Sequence, residues 1–307
     1  MPTIETRHGT RLYAKSWGDG RPVVLIHGWP LSADSWDPVT DALADAGFKA
    51  IAYDRRGFGR SDQPSGGYDY DTFADDLASV IEQTTDGEEV ALVGFSMGGG
   101  EIARYLSRHG AQNISRVALV SSVVPYMLET EDNPHGVPQA TFDEMAEAMR
   151  QDRAKFFTGF FKDFFGVSLL ASPVSSEQLD LAWTSAMQAG LRPALAAAHA
   201  FATTDFRPDL AHFTVPTLII HGTADKTVPI DATARAVART VAHAQLVEYD
   251  GEPHGVWATQ AERLTRDLLN FLTGGDLRDA ALDQASAADR QVMLDEISRE
   301  TLVVPHL

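Results

Sequence analysis

The 307-residue chain predicts an α/β fold, a mostly parallel sheet covered by helices on both faces and carrying a helical insertion. Three observations carry this. Short apolar runs bounded by Gly alternate with helical stripes through the first third of the chain. Between about residues 125 and 208 the alternation stops and Phe-rich helical patterns take over. Strand-like runs then resume. Apolar residues make up 44% and charged residues 22%, the balance of a globular protein with enough chain to bury a core.

The strands are expected at Arg11 to Trp17, Pro22 to His27 (PVVLIH), Lys49 to Tyr53 (KAIAY), Glu89 to Gly94 (EVALVG), Val117 to Ser121 (VALVS), Pro216 to His221 (PTLIIH) and Gln245 to Tyr249 (QLVEY). Continuous Val/Ile/Leu runs of this length suit strands buried on both faces. Between them Phe73, Leu77, Val80 and Ile81 share one helical face, as do Ile102, Tyr105, Leu106 and His109. The insertion holds Phe142, Phe156, Phe157, Phe160, Phe161, Phe164, Phe165 and Phe201, punctuated by Pro134, Pro138, Pro173 and Pro193. Most of these rings are expected in the core, and two or three on a pocket wall. The organisation predicted is a sheet domain in two parts, 1–124 and 209–273, with a helical cap at 125–208 and an acidic extension at 274–307. Between 276 and 300 that extension carries seven acids against three arginines, and Leu282, Met293, Leu294 and Ile297 suggest an amphipathic helix in it.

The formal net charge of −18 repels phosphate backbones and anionic lipid, so neither nucleic acid nor a membrane is expected as partner. With no cysteine there is no disulfide, zinc–thiolate site, iron–sulfur cluster or Cys nucleophile. No basic-then-apolar leader opens the sequence and no run of about 18 apolar residues occurs, which makes a cytoplasmic location the default expectation.

The strongest chemical signal is Gly94-Phe95-Ser96-Met97-Gly98, the pattern G-x-S-x-G, placed directly after a buried strand and at the start of a helical stripe. In that context the serine sits on a tight turn that lifts its hydroxyl above the sheet, and the flanking glycines leave room for the crossing chain. Such a hydroxyl needs a base. His254, in Asp250-Gly251-Glu252-Pro253-His254-Gly255 after the last strand, stands where the base belongs. His27 and His221 end strands and read as structural; His8, His109, His135, His199, His212, His243 and His306 match no motif. The orienting acid should follow the preceding strand, and Asp225 does so. Asp231 competes but is better placed to cap the following helix (DATARAVAR), and Asp250 and Glu252 are too near His254 in the chain to reach its far ring nitrogen. The two donors of an oxyanion hole are then the backbone N–H groups of Met97 and of Trp29, the latter in the loop His27-Gly28-Trp29-Pro30. Pro30 has no N–H to offer. Trp29, Pro30, Phe142, Phe161, Phe201 and Val228 are the expected pocket walls. Asp54-Arg55-Arg56-Gly57-Phe58-Gly59-Arg60-Ser61-Asp62 reads as loops tied together by Arg–Asp pairs. No P-loop and no H-E-x-x-H spacing occurs, so no cofactor or metal is expected.

Together H-G-W-P, Y-D-R-R-G-F-G-R-S-D-Q-P, G-F-S-M-G-G-G-E-I-A-R-Y, T-D-F-R-P-D and H-G-x-x-D-x-x-V-P make the chain resemble, over residues 2 to 273, the α/β-hydrolase superfamily. Within it the match is to the bacterial cofactor-free haloperoxidases, or perhydrolases, and the aryl esterases grouped with them. The resemblance implies an eight-stranded, mostly parallel sheet with a helical cap, a triad of Ser96, Asp225 and His254, and an oxyanion hole at Trp29 and Met97. It implies turnover of a small-molecule ester or carboxylic acid through an acyl-enzyme, with hydrogen peroxide replacing water to give a peracid. It needs no haem, metal or flavin. A Pro after the oxyanion aromatic accompanies the perhydrolase members, so Pro30 implies appreciable perhydrolysis. A homo-oligomer is expected. Lactones and γ-lactams are the alternative substrates, and a non-enzymatic ligand receptor is the alternative class. A dehalogenase or epoxide hydrolase would need Asp in place of Ser96.

Overall fold

The computed structural model describes residues 3–275; the acidic extension expected from Asp276 onward lies outside the described residues. Eight strands, β1 (Thr3–Glu5), β2 (Arg11–Trp17), β3 (Arg21–Ile26), β4 (Phe48–Tyr53), β5 (Val90–Phe95), β6 (Ile114–Val120), β7 (Thr217–Gly222) and β8 (Gln245–Tyr249), form one sheet in the order β1-β2-β4-β3-β5-β6-β7-β8. β1 and β2 are antiparallel to their neighbours, and all other pairings are parallel. β1 went unread in the sequence: three residues with one buried side chain are too short to display a period. In β5 and β7 every residue is buried, and in β3 every residue after Arg21. Their unbroken apolar runs reflect a sheet covered on both faces.

The covering helices include α1 (Asp37–Asp45), α2 (Tyr70–Thr84), α3 (Met97–His109) and α7 (Ala234–Thr240). Asp69 caps α2 by accepting the N–H of Thr72 at 2.9 Å, and Phe73, Leu77, Val80 and Ile81 form its buried stripe. On α3 Ile102, Tyr105 and Leu106 are buried, while His109 is half-buried against Asp75 at 2.8 Å. The chain leaves β3 through α1 toward β4 on one side, and leaves β5 through α3 toward β6 on the other. The exits of the adjacent strands β3 and β5 therefore diverge. In open α/β sheets such a reversal point, at the carboxyl ends of the strands, is where ligands bind.

Between β6 and β7 the chain builds α4 (Gln139–Phe164), α5 (Ser176–Gln188) and α6 (Leu191–Thr203). α4 is interrupted at Asp152, whose backbone leaves the helical region (φ −156°, ψ 88°) and whose side chain accepts the N–H of Lys155 at 2.9 Å. Asp152 thus caps the second half of the helix. That half is anchored where Trp183 of α5 donates its indole N–H to the carbonyl of Ala154 at 2.9 Å. These elements lie in a compact unit that runs to Ala261. A second unit starts at Glu262, and its described part is the remainder of α8 (Ala261–Thr273), a helix with Leu264, Leu268, Phe271 and Leu272 on one stripe, and Gly274–Gly275 after it. Among the described residues no helix is long and apolar enough to cross a membrane.

Candidate active site

Ser96 occupies the turn between β5 and α3 with φ 53° and ψ −116°, a backbone conformation that side-chain-bearing residues rarely adopt. The turn is held by the N–H of Ser96 on the carbonyl of Val120 at 2.8 Å and by the N–H of Gly99 on the carbonyl of Ser96 at 3.1 Å. Its glycines are required by space. A Cβ on Gly94 would lie 2.7 Å from the backbone of Gly98 and Gly99, and one on Gly98 would lie 2.5 Å from the carbonyl oxygen of Ile26. A residue held in strain by such close packing is the kind of outlier that marks a functional site.

His254 Nε2 stands 3.0 Å from Ser96 Oγ, and its Nδ1 stands 2.6 Å from Asp225 Oδ2. The imidazole is buried between two rings, Phe95 at 5.0 Å and Phe164 at 4.8 Å between centroids. Its backbone is held by the hydroxyl of Ser121 donating to the His254 carbonyl at 3.1 Å, while the next N–H, of Gly255, reaches the carbonyl of Phe164 at 2.9 Å. Asp225 Oδ1 accepts the N–H groups of Thr227 at 2.9 Å and Val228 at 2.8 Å. Burial acts to raise the pKa of this carboxyl. The charge of His254 and the hydrogen bonds of His221 and His254 outweigh it and hold the carboxyl well below the usual carboxylate range. Asp225 is therefore an ionised acceptor that fixes a proton on His254 Nδ1, which leaves Nε2 free to take the serine proton. The competing acids are engaged elsewhere. Asp231 pairs with Arg235 at 3.0 Å and does not occupy the N-cap of α7, which is Thr233. Asp250 accepts from Thr223 at 3.2 Å, and Glu252 accepts from Thr259 and Gln260.

The loop after β3 faces the serine. Gly28 has no room for a side chain, since a Cβ would meet the Phe95 ring at 2.6 Å and Ser96 Cβ at 2.9 Å. The N–H of Met97 is at the first position of α3, where a helix supplies no acceptor. Among the described residues no carbonyl receives the N–H of Trp29. Beneath this loop lies a buried polar cluster. Arg55 pairs with Glu101 and donates to the carbonyl of His27 at 2.6 Å. The N–H of Arg55 donates to His27 Nε2 at 2.9 Å, and His27 Nδ1 reaches the carbonyl of Gly28 at 2.9 Å. Burial, then the charge of Arg55, holds the His27 imidazole well below the usual histidine value, so it serves as a neutral tie. Asp54 accepts the N–H groups of Ala33 and Arg60 at 2.8 Å, and Arg56 pairs with Asp76, so the charged run from Asp54 to Asp62 ties loops together.

Ser96 and His254 open into a cavity of about 790 Å³ whose walls include Trp29, Phe142, Phe156, Phe160, Phe201 and Val228. The expected wall residues Trp29, Phe142, Phe201 and Val228 are there. Pro30 is buried and Phe161 is buried, and neither lines the cavity. For Phe161 the reason is helical phase. Phe156 and Phe160, one turn apart on α4, face the cavity and stack at 5.8 Å. Phe157 and Phe161 are each rotated by about 100° into the core, where Phe161 lies at 6.0 Å from Phe157 and 6.1 Å from Phe165. Trp29 joins the loop to the cap: its indole N–H donates to the carbonyl of Ala194 at 3.0 Å and its ring meets Phe157, Phe160 and Phe201 at 5.4–5.6 Å. Sequence reasoning missed Ser121, Phe95 and Phe164 as supports of His254. Phe164 could have been suspected from the Phe-rich run, whereas nothing local marks Ser121.

The fold and this arrangement define a class, and comparison with known proteins narrows it. A family model described as the alpha/beta hydrolase fold matches residues 21–257. A non-heme chloroperoxidase of Kitasatospora aureofaciens is 42% identical over 89% of this chain and 99% of its own length. A bifunctional esterase/perhydrolase of Acinetobacter calcoaceticus is 36% identical over the same shares of the two chains. The crystal structure of a bromoperoxidase from Bacillus anthracis superposes with a TM-score of 0.84 at 42% identity, covering 89% of this chain and 99% of that one. The chain belongs to the α/β-hydrolase family and, within it, to the group of the non-heme haloperoxidases and their esterase relatives.

Proposed function

We propose that the protein is a serine hydrolase of carboxylic esters that works through an acyl-enzyme and becomes a perhydrolase when hydrogen peroxide takes the place of water. The observation that carries this reading is the chain of contacts from Ser96 Oγ through His254 to the ionised Asp225, at 3.0 and 2.6 Å. Ser96 Oγ attacks the ester carbonyl while its proton passes to His254 Nε2. The carbonyl oxygen becomes an oxyanion held by the N–H groups of Trp29 and Met97. Collapse expels the alcohol or phenol, which takes the proton from His254, and leaves the acyl group on Ser96. Water, deprotonated by His254, then releases the acid. Hydrogen peroxide attacking in the same way releases a peracid, which in solution converts halide to hypohalous acid and is itself reduced to the carboxylate. The names of the 42% and 36% identical relatives support both branches. The apolar walls of Trp29, Phe142, Phe160 and Phe201 suit the organic part of such a substrate and exclude bulk water from the intermediate.

The test is hydrolysis of p-nitrophenyl acetate, together with bromination of a dye in acetate buffer with hydrogen peroxide. One acyl-enzyme serves both, so Ser96→Ala abolishes both. Peracid formation at the wild-type rate in that variant would overturn the shared intermediate.

A further inference from the structure

His221 was read from the sequence as a structural strand end, and the mechanism above makes no use of it. It is fully buried at the end of β7, four residues before Asp225. Its Nε2 faces two oxygens, the carbonyl of Val228 at 2.9 Å and Asp225 Oδ2 at 3.2 Å. A carbonyl only accepts, and so does an ionised carboxylate, so Nε2 carries a proton; it donates that proton to the carbonyl of Val228, with the positive end of the N–H group close to Asp225 Oδ2. Its Nδ1 is buried and has no hydrogen-bond partner among the described residues. The ring's one polar contribution is that N–H. It lies 3.2 Å from Oδ2, the oxygen that receives His254, while Oδ1 is occupied by the N–H groups of Thr227 and Val228.

We infer that His221 is a positioning residue that tunes the catalytic base: by holding the positive end of its N–H group 3.2 Å from Asp225 Oδ2 it limits how strongly that oxygen stabilises a proton on His254. The inference rests on the serine-hydrolase reading. A positive N–H group beside Oδ2 offsets part of that atom's charge. Remove the His221 donor and the whole of that charge acts on His254, so the imidazolium is favoured and the base is lost at a higher pH. The sign is the same whether His221 is neutral or charged. The other groups around the pair stay constant. Glu248 of β8 stands in register with His221 and is held by Arg235 of α7 at 2.6 and 2.8 Å. On the cavity wall beside His254 are Glu144, Asp152, Lys155, Asp163 and Lys226. All of these charges are present in every variant below.

Three exchanges separate the donor from the bulk of the ring. His221→Leu fills the space without a donor, His221→Gln ends in an amide N–H near the place of Nε2, and His221→Asn ends near the place of Nδ1. The readout is the acid limb of kcat/KM for p-nitrophenyl acetate against pH. It is paired with NMR titration of the His254 ring in histidine-labelled protein, which needs no turnover. The expectation is an upward shift of about half a unit or more in H221L and H221N, at least about threefold in the apparent proton dissociation constant, with H221Q close to wild type. If H221L does not fold, the Gln and Asn variants decide alone. Equal limbs in H221Q and H221N, or a downward shift in either non-donor variant, overturn the proposal. A wild-type protein that hydrolyses no ester overturns the hydrolase reading and leaves the ring titration to decide the role of His221.

Discussion

Gly28→Ala tests the oxyanion hole without touching a side chain that reacts. Gly28 is outside the positive-φ region, so alanine meets no backbone penalty and the effect comes from space alone. The new methyl would sit 2.6 Å from Phe95 Cδ1 and 2.9 Å from Ser96 Cβ. Carbon atoms in ordinary contact stand about 3.5–4.0 Å apart, so about 0.6–0.9 Å must be absorbed. Ser96 cannot give, because its turn is locked by the Gly94–Gly98 crossing. The Phe95 ring is hemmed by Trp36, Phe164 and His254, with centroids at 6.4, 5.9 and 5.0 Å. The loop itself must retreat, and the N–H of Trp29 retreats with it. A donor useful to an oxyanion lies within about 2.7–3.1 Å, and losing one costs roughly 10²–10³ in kcat, about 2.7–4 kcal/mol. The expected result with p-nitrophenyl acetate is a kcat lower by that factor and a KM near wild type, since the lost contact belongs to the transition state. Circular dichroism and a melting curve establish that the variant is folded. A folded Gly28→Ala protein with kcat within tenfold of wild type would refute the assignment of Trp29 N–H to the hole.

Asp225→Asn should keep the fold and lower kcat by about 10⁴, because the imidazole is left in the wrong tautomer, while Asp231→Asn, which only weakens one of the two acidic contacts of Arg235, leaves kcat unchanged; the reverse outcome would exchange the two acids. The folded pKa of Asp225 lies below its unfolded value, so its contribution to stability is complete above about pH 4 and is lost as the pH falls further. The melting-point gap between wild type and Asp225→Asn should therefore narrow on acidification below about pH 4, and a gap that widens there contradicts the sign. Phe161→Ala should destabilise by about 3–5 kcal/mol in denaturant titration with KM unchanged. Phe160→Ala, on the cavity wall, should shift KM between short and bulky acyl esters at a smaller stability cost; a larger stability loss for Phe160→Ala than for Phe161→Ala would reverse their places.

Much of this was legible in the sequence because the sheet is parallel and buried. Unbroken apolar runs gave away the inner strands, and chain order then ranked Ser96, Asp225 and His254 among many serines, acids and histidines. The cap was read less well. Its many Phe residues are alike in composition, and only the phase of α4, set in part by the break at Asp152, sends Phe156 and Phe160 to the cavity and Phe161 to the core. The contact of the second histidine with Asp225 was not legible for a related reason. A strand-terminal His reads as a satisfied core residue, and its contact with Asp225 exists only because the turn from Gly222 to Lys226 folds the carboxylate back over the end of β7.

The triad's order in the chain does not by itself bring its members together. β5, β6, β7 and β8 are consecutive in the sheet, so at about 4.8 Å per strand the exit of β8 lies some 14 Å from the exit of β5. Asp225, after β7, covers part of that distance, and His254 must be carried back across β7 and β6 to reach Ser96. The loop that does this begins at Gly251, with φ 72°, and runs back over the carboxyl edge. Where it lands, the intervening strand receives it: Ser121, just past β6 and itself at φ 45°, donates to the His254 carbonyl. The cap supplies the other support, with Phe164 against the ring and its carbonyl on the N–H of Gly255. The helical insertion thus does two things with one helix. One side of α4 lines the cavity and its C-terminal end buttresses His254, so on the proposed reading a change of cap sequence that alters substrate preference is free to do so through Phe156 and Phe160 only while Phe164 stays in place.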